Sequence, residues 1–231
     1  MRSPTASMCS MVLIVSLGLA SGVWPAISRA QAPGGAGAAG AGGTEEPSQV
    51  IQSVAQTFLQ DLDTHRAAYQ KDPKLLRAAV DRDVLPYFDV QYAARLVLAR
   101  YWRTATPQQQ QRFVSAFENS MFANYGSALL GFQSNRLKVD PTRVAPGEKE
   151  AMVRTVIRRD DGSTVQVNFM LRNAGEGWKV WDVVVEGVSY VKSFRDDFGS
   201  EIEQQGLDAV IQKLERGEAP PQIVNPGAGK S

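Results

Sequence analysis

The chain has 231 residues, with 25 basic residues against 24 acidic ones, and it holds one histidine and one cysteine. The near-neutral charge argues against a nucleic-acid partner, since that kind of binding usually requires a clear basic excess. One cysteine excludes an internal disulfide. One histidine with one cysteine also leaves no ordinary zinc ligand set. The length predicts one or two domains. We further predict neither a metal site nor a cofactor.

Residues 1–30 have the pattern of a secretory signal peptide. A basic start with no acid precedes the short apolar run MVLIVSLGLASGVW, and Ser28 and Ala30 place small residues before a cut at Gln31. A retained N-terminal anchor is the alternative, although the apolar run is short for a membrane span. Cleavage removes two of the 25 arginines and lysines and leaves 23 against 24 acids, with no cysteine. The exported protein must then be held together by its core.

Residues 31–47 are rich in glycine and alanine and lack any periodic apolar set, so we interpret them as a flexible tether. The folded domain is predicted to start at Ser48, which is a plausible N-cap. One face of the first helix is marked by Ile51, Val54, Phe58, Leu62, His65 and Tyr69. On this face the histidine is interpreted as a packing residue. A second helix follows Pro73, and a third is predicted from Asp89 to about Trp102.

Thr106-Pro107-Gln108-Gln109 is a strong helix start. It combines an N-cap threonine, proline at the first helical position and glutamine three residues after the cap. The helix that it opens is predicted to carry Phe113, Phe117, Met121 and Tyr125 on one side and to end near Gly131.

Beyond this helix the apolar period changes to two. Four segments are candidate strands: RLKVDPTRV, EAMVRTVIRRD, TVQVNFMLRN and GWKVWDVVVEGV. Asp161-Gly162 and Gly175-Glu176-Gly177 predict tight turns, hence antiparallel neighbours. Two helical segments follow, from Tyr190 and after Gly206, and residues 217–231 are predicted to be a disordered tail. The order favours an α+β fold: a curved antiparallel four-stranded sheet with helices packed on one face.

The last strand is apolar on both faces, because Val183, Val184 and Val185 are consecutive, whereas a half-solvated strand alternates. The second face is covered either by a well-filled core or by the wall of an apolar cavity, and the pattern alone does not choose. Asp182 and Glu186 lie on one side of the same strand. If enclosed, either carboxylate could act as a general base; a structural role is the simpler interpretation.

Two long segments resemble a known family. One runs from YFDVQYAARLVLARYWRTATPQQQQRF to NYGSAL and the other is GWKVWDVVVEGVSYVKSFRDDFGSEIEQQGLDAVIQKL. Both are similar to the MlaC or toluene-tolerance family of periplasmic phospholipid carriers, over residues 48–216. The resemblance implies a cystatin/NTF2-like fold whose apolar cavity takes acyl chains. It further implies a periplasmic protein without catalytic residues. Its implied partners are an outer-membrane lipoprotein complex and an inner-membrane lipid-binding protein associated with an ABC transporter.

On this basis we predict a lipid-binding set on the helices and the sheet, comprising Phe88, Tyr92, Leu96, Trp102, Phe113, Phe117, Tyr125, Val156, Phe169, Val184, Val188 and Phe194. Glu186 and Gly187 are predicted to form the cavity mouth. Strand parity places Val184 and Val188 on the side of Asp182, unless a bulge at Gly187 resets the register. Two other functions stay open, an NTF2-like enzyme that uses Asp182 or Glu186 as a base and a lipid-free interaction module.

Overall fold

In this computed structural model, residues 45–159, 161–173 and 175–218 are described. The helices are α1 (Pro47–Lys71), α2 (Pro73–Asp83), α3 (Val90–Leu98), α4 (Arg100–Thr104), α5 (Pro107–Tyr125), α6 (Tyr190–Gln205) and α7 (Leu207–Glu215). The strands are β1 (Leu137–Val139), β2 (Glu150–Arg158), β3 (Thr164–Asn173), β4 (Trp178–Val185) and β5 (Val188–Ser189). The predicted signal peptide, nearly all of the tether and most of the tail lie outside the described residues. Within them, no helix is long and apolar enough to cross a bilayer.

The sheet is antiparallel throughout, in the order β1-β2-β3-β4-β5. The α+β class and the antiparallel hairpins are confirmed. The sheet has five strands rather than four, because the chain after β4 turns back and pairs as the short strand β5. Turn chemistry explains the β2–β3 connection: Gly162 has a φ of 83°, and Asp161 Oδ1 accepts a hydrogen bond from Ser163 N at 2.9 Å.

The helix starts are set by caps that the sequence partly predicts. Thr106 caps α5 as expected: its hydroxyl accepts from Gln109 N, and the Gln109 side chain accepts from Thr106 N at 2.9 Å. Ser48 does not cap α1, because the cap is Glu46 and Pro47 is the first helical residue. Instead the Ser48 hydroxyl accepts from Thr142 N at 3.1 Å and ties the start of α1 to the chain after β1.

The single helix predicted from Asp89 to Trp102 is two helices. Asp89 is the N-cap of α3, so the start agrees with the prediction, but the helix breaks at Ala99, whose φ of 47° lies in the left-handed region. The break redirects the chain into α4, from which Tyr101 and Trp102 pack against the helical part of the core. Alanine is the best helix former, so no local signal marks the break.

The buried apolar residues form three clusters instead of one. The helical cluster joins α3, α5, α6 and α7; its largest members are Leu98, Phe113, Phe117, Phe194, Phe198, Ile211 and Leu214. The sheet cluster joins the start of α1 to β2, β3 and β4 through Val50, Ile51, Val153, Leu171, Trp178 and Val180. The α1–α2 cluster contains Phe58, Leu59, Leu62, Tyr69, Leu76 and Ala79. A fold of this size usually has one contiguous core, so the boundaries between the clusters are informative.

Candidate functional site

The β4–β5 hairpin corrects the predicted parity at the end of the sheet. Val185 pairs with Val188, and Val184 pairs with Ser189. Directly opposite residues share a face, so Val188 lies on the face of Val183 and Val185 and not on that of Val184. The register is reset because the chain reverses at Glu186-Gly187 rather than continuing as one strand. Val188 is exposed at 38%, at the rim of the sheet.

Glu186 and Gly187, the predicted cavity mouth, form this two-residue turn. Both have positive φ, 49° and 82°, as a type I′ turn requires. The left-handed conformation is unfavourable for glutamate. Two hydrogen bonds to β3 offset this conformational cost. Glu186 N donates to Gln166 O at 2.9 Å, and the Glu186 carboxylate accepts from Gln166 N. The Glu186 carboxylate is therefore engaged by the sheet.

Asp182 is buried, with 6% of its surface exposed, and both carboxylate oxygens are occupied. Oδ1 accepts from Val191 N at 2.9 Å, and Oδ2 accepts from the Ser189 hydroxyl at 2.6 Å. Ser189 is itself the N-cap of α6 and accepts from Lys192 N. Asp182 thus joins β4 to the first turn of α6, on the sheet face opposite to Val183. This is the structural role favoured by the sequence.

A bulge in β4 brings the sheet into contact with α3. The pairing of β3 with β4 shifts between Met170 and Leu171, and Trp181 is the extra residue. Its indole packs edge-on against the Tyr92 ring, with 5.9 Å between ring centroids. The Arg172 guanidinium lies over the Tyr92 ring, with Cζ 4.1 Å from the ring centroid. Arg172 also donates a hydrogen bond to the Asp89 carboxylate at 2.9 Å. Tyr92, one of the predicted lipid contacts, is therefore held largely by protein.

The structure divides the predicted lipid-binding set among several environments. Phe113, Phe117 and Phe194 are at most 7% exposed and belong to the helical cluster, where Phe117 and Phe194 meet edge-to-face at 5.3 Å. Leu96, Trp102 and Tyr125 are partly buried at the margin of that cluster. Phe88 and Phe169 lie at the margin of the sheet cluster.

Val156 and Val184 are separated from Phe169 by the sheet itself. Phe169 pairs with Val183, and Val184 pairs with the next residue along β3, so their side chains alternate between faces. Val156 is on the same face as Val184 by the register with β2. One cavity cannot contact both faces of a continuous sheet, so these two valines and Phe169 do not line a common space.

The helical cluster and the α1–α2 cluster meet at the end of α5. Phe122 packs against the α1–α2 cluster, whereas Met121 and Tyr125, on the same two turns, pack against the helical cluster. Burial raises the pKa of the Tyr190 hydroxyl, and the nearby Tyr125 adds to this shift. Tyr190 directly follows β5, so it connects the end of α5 with the end of the sheet.

We use the name seam for a set of partly buried residues on the end of α5, on β3 and β4 and at the start of α6: Met121, Phe122, Tyr125, Phe169, Val183, Val185 and Tyr190. All are apolar or aromatic and only partly buried. The predicted lipid-binding set includes Tyr125 and Phe169 but none of the other five residues. Met121 and Phe122 could have been selected from the helical period, whereas Val183 and Val185 required the correct parity of β4.

Two pockets of the described chain lie elsewhere. A groove of about 640 Å³ between α5 and α7 is lined mainly by polar residues, including Gln108, Gln111, Ser115 and Asn119. A groove of about 310 Å³ lies between α1 and β1. Neither contains a residue of the predicted lipid-binding set. An apolar cavity thus stays a prediction, and the seam residues are the partly buried side chains that could line one.

Charged side chains interact on α1 and α2, whereas none of the seam residues is charged. His65 is exposed instead of packed, and its Nδ1 lies 2.8 Å from Asp61 Oδ1. Burial tends to raise the pKa of Asp61, but hydrogen bonds from Tyr69 and His65 outweigh it and the pKa lies below its usual value. Across the described ranges, no group of three or more histidine, cysteine, aspartate or glutamate residues could hold a metal ion.

Comparisons with known proteins point to one family. The model of the MlaC protein family matches residues 52–216. The toluene tolerance protein ttg2D of Pseudomonas putida is 32% identical over 165 residues, which cover 71% of this chain and 76% of that protein. The intermembrane phospholipid transport system binding protein MlaC of Haemophilus influenzae is 25% identical over 182 residues, 78% and 85% of the two chains.

A solved structure has the same fold. It is a phospholipid-binding protein from Ralstonia solanacearum in complex with a phospholipid, with a TM-score of 0.62 and 24% sequence identity. The match covers 73% of this chain and 92% of the other.

Proposed function

This chain belongs to the MlaC family, and from that premise we propose that it is a soluble periplasmic carrier that holds the acyl chains of a phospholipid between its three apolar clusters. The lipid is carried between an outer-membrane lipoprotein complex and an inner-membrane lipid-binding protein associated with an ABC transporter. Export by the predicted signal peptide of residues 1–30 delivers the protein to that compartment.

The observation that carries this proposal is the seam. A protein of this size that served only as a scaffold would close its helices and sheet into one core. Here the sheet presents Phe169, Val183 and Val185, and the last turns of α5 present Met121 and Tyr125, all incompletely covered. Incompletely covered apolar side chains on the sheet and on α5 are the kind of wall that an acyl chain requires.

The energetics suit a carrier. Burying acyl chains recovers about 0.8 kcal/mol per methylene relative to water, so the bound state is strongly favoured over free lipid. A bilayer is equally apolar, and most of this free energy cancels when lipid moves between protein and membrane. The protein therefore needs only to match the membrane, and a partner complex can direct transfer either way.

An enzymatic function is supported less well by the geometry. Both candidate bases accept hydrogen bonds from groups of this chain: Asp182 from Ser189 and Val191, and Glu186 from the backbone of β3. A base already occupied in this way must break a stabilising contact before it can take a proton from a substrate. This favours the carrier over the enzyme.

The test is lipid content and lipid uptake. We expect mature protein purified from a membrane-containing host to carry phospholipid at near-stoichiometric amount, measured by mass spectrometry of organic extracts. We also expect the delipidated protein to take up fluorescent phospholipid from vesicles. A folded protein that contains no lipid and takes none up would overturn the proposal and favour a lipid-free interaction module.

A further inference from the structure

The groove between α1 and β1 combines an open sheet edge with a row of amides. It has a volume of about 310 Å³ and is lined by Gln52, Ala55, Gln56, Leu59, Gln60, Ser134, Asn135, Leu137 and Val139. The lining contains no charged side chain. Its floor is apolar and its rim is polar, and none of its lining residues belongs to the seam.

Strand β1 is the edge of the sheet, and its outward backbone groups can be assigned from the register. Asp140 N donates to Arg154 O at 2.9 Å, and Lys138 pairs with Val156, two residues further along both strands. In an antiparallel ladder, alternate residues bond to the partner strand and those between them point away. Leu137 and Val139 therefore direct their N–H and C=O groups outward, toward the place of a further strand.

The spacing of three glutamines along α1 is close to the two-residue spacing of such a strand. Gln52, Gln56 and Gln60 are all exposed and follow one another every four residues on α1. Four helical residues rise about 6 Å, and two residues of an extended strand span about 6.7 Å. Successive amide side chains of α1 can thus reach successive inward-facing residues of an added strand.

We propose that this groove binds an extended segment of a partner protein, which adds to β1 as a sixth strand beneath α1. Backbone bonds to Leu137 and Val139 supply affinity, in the manner of other strand additions. The uncharged lining selects an uncharged segment, and the shallow apolar floor of Ala55 and Leu59 favours small or β-branched side chains at alternate positions. This proposal does not rest on lipid binding.

The chain's own segment of residues 31–44 is a weaker occupant. It joins the chain beside Glu45, close to the start of α1, and it is uncharged. Six of its residues are glycine, and glycine loses more conformational freedom on ordering than any other residue. Its side chains would also leave the apolar floor of the groove uncovered. A partner segment with larger side chains has neither disadvantage.

The experiment is a selection followed by a binding measurement. A displayed library of random dodecapeptides is selected on the mature protein and counter-selected on Val139→Pro. This proline removes the outward N–H, and an edge strand tolerates proline where its N–H is not bonded in the sheet. Selected peptides are then synthesised, and their affinity is measured by calorimetry.

We expect enriched peptides that are uncharged, lack central proline and alternate β-branched with polar residues. Both Val139→Pro and the surface change Gln56→Lys should weaken their binding at least tenfold. Lys138→Ala, whose side chain lies on the other face, should leave the affinity unchanged. Hydrogen exchange at Leu137 and Val139 should slow when peptide binds, with lipid content unaltered.

Three results would overturn the proposal. The first is that no peptide is enriched, and the second is that enriched peptides bind Val139→Pro and Gln56→Lys as tightly as wild type. The third is that removal of residues 31–44 alone speeds exchange at Leu137 and Val139 and opens peptide binding. In that last case the chain's own segment occupies the groove.

Discussion

The helical cluster and the seam are built from the same kinds of side chain but differ in how completely they are buried. In the helical cluster, Phe113 and Phe198 are at most 1% exposed and meet edge-to-face at 5.8 Å. In the seam, Phe169 and Val183 lie against the sheet cluster on one side and remain partly accessible on the other. Aromatic content alone therefore does not separate core from binding surface.

The difference assigns two tasks to two regions. Phe113, Phe117, Phe194 and Phe198 contact one another, so their free energy stabilises the fold. We expect the apolar surface left incomplete in the seam to stabilise the fold less and to be available for a ligand. We predict that substitutions in the first region change the free energy of unfolding, whereas those in the second change cargo.

Phe113→Ala should have the largest effect. The side chain is fully buried, and removal of such a phenyl ring leaves a cavity that costs about 3–5 kcal/mol. Thermal melting followed by circular dichroism should show a decrease in Tm of about 10 °C. Leu75→Ala is the matched control, because Leu75 is 47% exposed on α2 and its loss should be nearly neutral. Equal melting of both variants would contradict the assignment of Phe113 to the core.

Asp182→Ala should lower the free energy of unfolding by about 2 kcal/mol. The change leaves the buried Val191 N–H without its acceptor, and an unsatisfied buried donor costs about 1–3 kcal/mol. Chemical denaturation gives the value directly. Asp182→Asn retains one acceptor oxygen and should lose less. If instead Asp182→Ala were as stable as wild type but lost a measurable turnover, the carboxylate would be catalytic.

Ala99→Gly should raise stability by about 1 kcal/mol. Ala99 is exposed and adopts a φ of 47°, which glycine occupies without the steric cost borne by alanine. The matched control is Ala78→Gly on α2, where glycine in an exposed helix interior should cost about 1 kcal/mol. The two changes should therefore shift the denaturation midpoint in opposite directions. Destabilisation by both would show that the break between α3 and α4 is not strained.

Val188→Glu should change stability least but abolish lipid loading. Val188 is at the rim of the sheet and faces the seam side with Val185, so water can still reach the new carboxylate in the empty protein. An acyl chain entering there must desolvate that charge, which costs several kcal/mol. Bound lipid is measured by mass spectrometry, beside a melting curve.

Val156→Glu is the control on the opposite face, where Arg154 and Arg158 lie on either side of it along β2. It should keep both stability and lipid. A large loss of Tm in Val188→Glu would place Val188 in the core. Full lipid content in both variants would place the cavity elsewhere.

Local signals predicted the elements well. The capping sequence Thr106-Pro107-Gln109 gave the start of α5, and Asp161-Gly162 gave a turn, because both depend on residues adjacent in the chain. The α+β class followed from the change in apolar period. The break at Ala99 was missed, since the packing of α4 against the helical cluster overrides the helix propensity of alanine.

The site was harder to predict because it depends on register. Val184 and Val188 were placed together by counting along one strand, whereas the turn at Glu186-Gly187 sends them to opposite faces. The alternation of side chains between the two faces of β4 also fails at Trp181, because the bulge inserts one residue there. No local sequence pattern predicts this bulge. Helical aromatic residues such as Phe113 were chosen for their size, but only tertiary contacts distinguish a filled core from a cavity wall.

The link from Asp182 to Ser189 and Val191 has a mechanical consequence. It fastens the first turn of α6 to the middle of β4, while the two-residue turn at Glu186-Gly187 leaves the intervening chain no slack. We therefore expect β4 and the first turn of α6 to move together. For the same reason, we expect any widening of the seam to come from displacement of the end of α5, which carries Met121, Phe122 and Tyr125.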